Sequence, residues 1–171
     1  IVEVVLDRNH AFDPEKLTRH TYTTSSCGIC GKTSLDAIAI AVGKRHSSRL
    51  TINENDLRSL PEKLHSRQIE FERTGGLHAA ATFTPNGDIE FIREDVGRHN
   101  AVDKLIGHYF LEKKLHALSE RGLLLSGRAS FELIQKAALA QISYVASIGP
   151  PSSLAIELAV EQEITLVGFL R

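Results

Sequence analysis

The sequence predicts an α/β domain: a layered sheet with helices on both faces. Three observations carry this. From Gly122 onward, short apolar runs alternate with helix-period segments: strands at 123–125, 144–147 and 164–170, and helices at 131–140 and 153–162. Such βα alternation argues for a sheet that is at least partly parallel. Upstream, segments 77–83 and 89–93 flank Pro85-Asn86-Gly87-Asp88, and Asn-Gly tolerates the positive φ angles of a hairpin turn, so these two segments pair antiparallel. Finally, 171 residues with 42% apolar and 24% charged side chains suffice for one ordinary core, giving a single domain over 1–171.

The remaining elements follow from local patterns. Residues 1–6 are a β-branched run, and 20–24 alternate like a strand. At 34–44, Leu35, Ile38, Ala39 and Val42 fall at helical spacing, with Thr33 or Ser34 as cap. A second helix is expected to begin near Pro61, a residue suited to a first turn, and to stop before Gly75-Gly76. Segment 99–113 is a helix with Val102, Leu105, Ile106, Tyr109 and Phe110 on one face.

Bulk properties narrow the function classes. The net charge of −1 supplies no global basic field for nucleic acid or a membrane surface. No run approaches the ~18 apolar residues of a spanning helix, and no signal or transit peptide is visible. A cytoplasmic location is expected, without nucleic-acid or membrane partners.

Both cysteines lie in Ser25-Ser26-Cys27-Gly28-Ile29-Cys30-Gly31-Lys32, ahead of a helix. A C-x-x-C pair of this kind does chemistry more often than stapling. Three chemistries stand open. Zinc would need two more ligands; His78 and His99 are not at ligand spacing, and the deaminase signature H-x-E with P-C-x-x-C fails at His78-Ala79-Ala80 and at Ser26, so no metal is expected. Thiol–disulfide exchange fits C-x-x-C, the second thiol resolving a mixed disulfide on the first. For sulfur carriage, a nearby helix N-terminus and Lys32 would favour the Cys27 thiolate, and the flanking glycines let it swing between donor and acceptor.

Three further loops place small and ionisable residues between a strand and a helix: 93–100, Ser126-Gly127-Arg128-Ala129-Ser130 and Gly149-Pro150-Pro151-Ser152-Ser153. In open α/β sheets ligands sit at such loops, where helix N-termini suit phosphate and Arg98 and Arg128 add bidentate contacts. No Walker A or Rossmann pattern identifies a nucleotide class.

The cysteine loop, Thr74-Gly75-Gly76-Leu77-His78-Ala79-Ala80-Ala81, REDVGRHNAVDKLIG at 93–107, SGRASFELIQKAA at 126–138, and the tail with Pro151-Ser152-Ser153 and Gly168-Phe169-Leu170-Arg171 together resemble the FdhD/NarQ family of formate dehydrogenase accessory sulfur carriers. The resemblance implies a cytidine-deaminase-like fold without the deaminase residues. It implies a sulfurtransferase that takes persulfide sulfur from a cysteine desulfurase on Cys27, with Cys30 as partner thiol. The acceptor would be the molybdenum bis-molybdopterin guanine dinucleotide cofactor, bound transiently as substrate before it enters formate dehydrogenase, with no permanently bound cofactor. Carried over, Arg98, His99, Asn100, Ser126, Gly127, Arg128, Ser152, Ser153, Phe169, Leu170 and Arg171 become cofactor-binding residues. The family also implies an N-terminal β segment ahead of residue 1 and a few residues after Arg171. Gly149-Pro150 departs from the family's more usual Ser-Ala. A homodimer is a further expectation. The alternative is a cofactor-binding chaperone for formate dehydrogenase whose C-x-x-C is redox-regulatory and transfers no sulfur.

Overall fold

The structure, a computed structural model, describes residues 50–171. The cysteine loop and the elements expected before residue 50 lie outside the described residues.

Two helices lead in, α1 (Glu54–His65) and α2 (Ile69–Thr74). They are followed by β1 (His78–Phe83), β2 (Ile89–Asp95), α3 (Arg98–Leu111), a 3₁₀ turn at Leu115–Glu120, β3 (Gly122–Leu125), α4 (Phe131–Leu139), β4 (Tyr144–Ser147), α5 (Ser153–Glu161) and β5 (Thr165–Val167). The five strands form one sheet in the order β2-β1-β3-β4-β5. β1 is antiparallel to both neighbours, while β3, β4 and β5 run parallel, so the expected hairpin and the partly parallel sheet are both present. At the hairpin, Gly87 adopts φ +72° and donates to the Thr84 carbonyl at 2.9 Å.

The period-2 alternation of the strands divides the core in two. Ala80, Leu123, Leu125 and Val145 face α3, α4 and α5, joined by Leu105, Phe131, Ile134 and Leu158. Ala79, Ala81, Phe83, Leu124, Tyr144 and Ala146 face the other way, against Leu60 and Leu64 of α1. Helices thus cover both faces. Gly122 opens β3 under the Phe83 ring; a Cβ there would come within 2.1 Å of it.

Two boundaries differ from the sequence reading. α1 starts at Glu54, not near Pro61, because Asn53 caps it by accepting from the Asp56 N–H at 2.9 Å. Pro61 therefore sits inside the helix, where it cannot donate to the Leu57 carbonyl; full burial of Leu60 and Leu64 on either side holds that turn. The expected single helix is also broken before Gln68. α2 is capped by the Glu94 carboxylate, which accepts from the N–H groups of Glu70 and Phe71 at 3.0 and 2.9 Å, and ends at Gly75 with φ +68°. The last strand is shorter than 164–170. After Val167 the chain turns at Phe169, φ +54°, and the Phe169 and Leu170 N–H groups donate to the Gly149 and Ser147 carbonyls at 3.3 and 3.1 Å. Leu170 fills the second core, which the apolar pattern alone read as continued strand.

Candidate functional site

The sheet topology gathers every expected binding loop on one edge. β1 pairs His78 with Asp95 at the end of β2, and its antiparallel match to β3 sets His78 near Ser126, where the Ala79 N–H donates to the Ser126 Oγ at 2.8 Å. β4 and β5 end on the same side, so Asp95, Ser126, Ile148 and Gly168 all lead off one rim. The loops then lock together. The Gly149 N–H donates to the Gly127 carbonyl at 3.1 Å, the Ser152 N–H to the Ala129 carbonyl at 2.9 Å, and the Ser147 Oγ to the Gly149 carbonyl at 2.9 Å. Packing here is tight enough to require glycine: a Cβ on Gly149 would lie 2.8 Å from backbone atoms of Gly127 and Arg128. A serine in its place would push those loops apart.

Two cavities open on this rim. One, of about 220 Å³, is lined by Arg98, Arg128, Ala129, Ser130, Pro150, Pro151 and Ser152. The starts of α3, α4 and α5 meet around it, each contributing a positive helix end. The Arg98 Nε is buried here with no hydrogen-bond partner among the described residues, a desolvated charged donor that a bound anion would satisfy. Ser152 caps α5, its Oγ accepting from the Ala155 N–H at 3.2 Å. The second cavity, of about 580 Å³, is lined among the described residues by Pro61, His65, Gln68, Phe71, Gly75, Gly76, Leu77, His78, Ser126 and Ile148, none of them Asp, Glu, Lys or Arg. Gln68 is only 6% exposed, and its amide makes no hydrogen bond among the described residues, because Glu94 does the capping at α2 that a residue in Gln68's place often does. Gly127 separates the two spaces; a Cβ on it would lie 3.0 Å from the His78 Nδ1.

The Arg98 segment is anchored from behind. The Asp95 carboxylate accepts from the Gly97 N–H at 2.9 Å and the Asn100 Nδ2 at 3.1 Å, and pairs with the Lys104 Nζ at 2.5 Å. The Lys104 contact leads these in pulling the Asp95 carboxyl down to about 2. His99 sits between α3 and α4, its Nε2 3.0 Å from the Ser130 Oγ and 3.8 Å from the Glu132 Oε2. Burial, aided by Arg98, pushes its imidazole below the usual histidine value against the pull of Glu132.

Of the residues expected to bind cofactor, Arg98, Arg128 and Ser152 line the first cavity and Ser126 the second. Gly127 lies between them, while His99 and Asn100 hold neighbours rather than facing either space. Ser153 begins α5 outside the cavity lining, Leu170 is in the core, and Phe169 and Arg171 are exposed. Cys27 and Cys30 are outside the described residues. Sequence reasoning missed Gln68, for which no motif gives a signal. A second stretch with related spacing also went unnoticed in the sequence. His78 opens a strand, whereas His99-Asn100-Ala101 and Gly127-Arg128-Ala129-Ser130 have the H-x-x and C-x-x-C spacing, start or precede helices, and meet at the His99–Ser130 contact. At those spacings this chain has alanine at 101, glycine at 127 and serine at 130. Among the described residues no group of three or more His, Cys, Asp or Glu is placed to hold a metal ion.

This mixed sheet, with its polar rim and without the deaminase residues, defines a cytidine-deaminase-like α/β domain. Its fold is similar to guanine deaminase from Nitrosomonas europaea, with a TM-score of 0.54 at 12% identity over 89% of this chain and 92% of that one. It is also similar to a structure assigned as a candidate formate dehydrogenase accessory protein from Desulfotalea psychrophila, with a TM-score of 0.66 at 29% identity over 77% of this chain and 56% of that one. The chain belongs to the FdhD/NarQ family, whose model matches residues 1–171. It is 54% identical over 163 residues to the sulfur carrier protein FdhD of Streptomyces avermitilis, covering 91% of this chain and 55% of the relative. It is 42% identical over 174 residues to that of Thermoplasma volcanium, covering 100% and 60%. The chain thus spans a little over half the length of these curated relatives. No helix among the described residues is long and apolar enough to cross a membrane.

Proposed function

We propose that this chain carries sulfur for formate dehydrogenase, accepting it from a cysteine desulfurase on Cys27 and delivering it to the molybdenum bis-molybdopterin guanine dinucleotide cofactor. The relatives' shared name, sulfur carrier protein, supports the sulfur. The observation that carries the acceptor half is the arginine-lined cavity, where Arg98, with its unpartnered Nε, and Arg128 meet three helix starts. A thiol pair used only for redox exchange needs no such site; an acceptor bearing phosphates does.

In the proposed chemistry the Cys27 thiolate attacks the terminal sulfur of the donor persulfide. That S–S bond breaks, the donor cysteine leaves as thiolate, and Cys27 holds the new persulfide. Attack of Cys30 on the Cys27 Sγ then expels hydrosulfide for the acceptor and leaves a Cys27–Cys30 disulfide, which a cellular dithiol reopens. The cofactor's phosphates are assigned to the arginine-lined cavity, held by Arg98, Arg128, Ser152 and the start of α4, and the rest of the cofactor to the neighbouring cavity lined by Ser126 and to the exposed Ser153, Phe169 and Arg171. A cytoplasmic single domain over 1–171, acting as a homodimer, completes the reading; sedimentation showing only monomer at micromolar concentration removes the dimer.

Mass spectrometry after incubation with a desulfurase and cysteine tests the proposal. The expected result is a one-sulfur adduct on the Cys27 peptide, absent in Cys27→Ala, together with loss of formate dehydrogenase activation. Activation without any adduct on Cys27 favours the chaperone with redox-regulatory cysteines.

A further inference from the structure

We propose that Ser130 is an anion-contacting residue of the arginine-lined cavity, and that His99 is a positioning residue whose protonation frees the Ser130 hydroxyl proton for the anion. The inference deepens the phosphate assignment above and rests on it.

Ser130 occupies the position before α4 that serines use for capping, yet its side chain caps no N–H; Ser152, in the equivalent place on α5, does. Ser130 is 6% exposed and lines the cavity, and the partner of its Oγ is the His99 Nε2 at 3.0 Å. A hydroxyl has a single proton to give. When the Nε2 is unprotonated that proton points at the ring, and the cavity meets only oxygen lone pairs, which repel an anion. When the Nε2 carries a proton it donates to the Ser130 Oγ, and the hydroxyl is released toward the cavity.

The surroundings decide which state holds. Arg98 on α3 and Lys136 on α4 oppose a positive His99, as does burial; Glu132 on α4 and Asp103 on α3 favour it. Lys136 is itself tied to Asp103 at 2.6 Å and to Glu132 at 3.3 Å. An anion beside Arg98 offsets that arginine's field and adds negative charge of its own, moving the balance toward imidazolium. Binding and protonation therefore strengthen each other reciprocally. With the cavity empty, His99 is mainly neutral near neutral pH and is assigned the Nδ1–H tautomer, whose Nε2 accepts from the Ser130 hydroxyl, so anion affinity rises as pH falls and each binding event takes up protons.

Isothermal titration of the whole chain with inorganic pyrophosphate and with sulfate, between about pH 6 and pH 8 in buffers of different protonation enthalpy, tests this. Sulfate keeps its charge across the range, so its pH dependence reports the protein alone. The expected result is tighter sulfate binding at lower pH with net proton uptake; Ser130→Ala, checked for fold by its thermal melt, weakens both anions roughly tenfold. His99→Gln, whose amide N–H donates at every pH, flattens the profile and removes the proton uptake. Binding without proton uptake, with the same pH profile in wild type and His99→Gln, overturns this inference while leaving the phosphate assignment standing. Failure of the wild type to bind either anion removes the phosphate assignment and this inference with it.

Discussion

The two cavities share one rim and one stretch of backbone, Ser126-Gly127-Arg128, yet they offer opposite chemistry. The arginine-lined space lies where three helices begin, so dipole ends and guanidinium groups add. The histidine-lined space lies beyond the other sheet face, where α2 ends at Gly75 and no side chain of fixed charge among the described residues lines it. The difference comes from topology. Helices that follow parallel strands start at the rim, whereas α1 and α2 precede β1 and finish there. Under the proposed function, the phosphates and the uncharged portion of the acceptor would sit in these neighbouring but electrostatically distinct places.

Substitutions that touch one cavity and spare the other probe that division. The largest effect is expected from Gly149→Val, whose Cβ would meet Gly127 and Arg128 backbone at 2.8 Å. Overpacking of this kind costs about 1–3 kcal/mol, and a thermal melt should show the loss alongside weakened pyrophosphate binding. Gln68→Leu should act in the opposite direction. It replaces an amide that caps no N–H of α2 with an apolar side chain at a position only 6% exposed, raising stability by about 1 kcal/mol in denaturant titration while pyrophosphate affinity holds. An unchanged or lowered stability would mean that the amide already has a partner. Gly127→Ala is milder, under about 1 kcal/mol, since its Cβ would press on a His78 ring at 3.0–3.2 Å that can give way. Its effect should appear at the histidine-lined cavity first, as a shift in the His78 ring resonances.

The smallest effect concerns the anchor behind Arg98. Asp95 titrates at about 2, below the ordinary 3.8, so its charged form is favoured by folding. The stability it contributes is complete above the unfolded value and disappears as pH falls through about 2. Asp95→Asn should lower the melting temperature slightly at neutral pH and match wild type near the acid limit. A constant difference at all pH values would contradict the Lys104, Gly97 and Asn100 contacts as the cause.

Much of this was readable from the chain. The turn at Asn86-Gly87 and the apolar runs of β3 and β4 fix their own geometry locally, so the hairpin and the parallel half were legible. Arg98, Arg128 and Ser152 were expected at one site because ligands favour loops that leave strand ends, and all three line one cavity. Pro61 misled because a proline inside α1 is tolerated only through burial of Leu60 and Leu64, a tertiary fact. The surroundings of Gln68 and the His99–Ser130 pairing depend on residues 26 and 31 positions away in sequence, Glu94 for the first and Ser130 for the second, and no local pattern encodes such contacts. Leu170 read as strand because core burial and strand pairing draw on the same apolar residues.

The contrast between the cavities is tested most directly by titrating pyrophosphate into wild type, the double variant Arg98→Met with Arg128→Met, and Gln68→Leu. Charge-assisted hydrogen bonds of about 1.5–3 kcal/mol each predict that the double variant loses roughly 100-fold or more in affinity while Gln68→Leu binds like wild type. Equal affinity in the wild type and the double arginine variant would contradict the account.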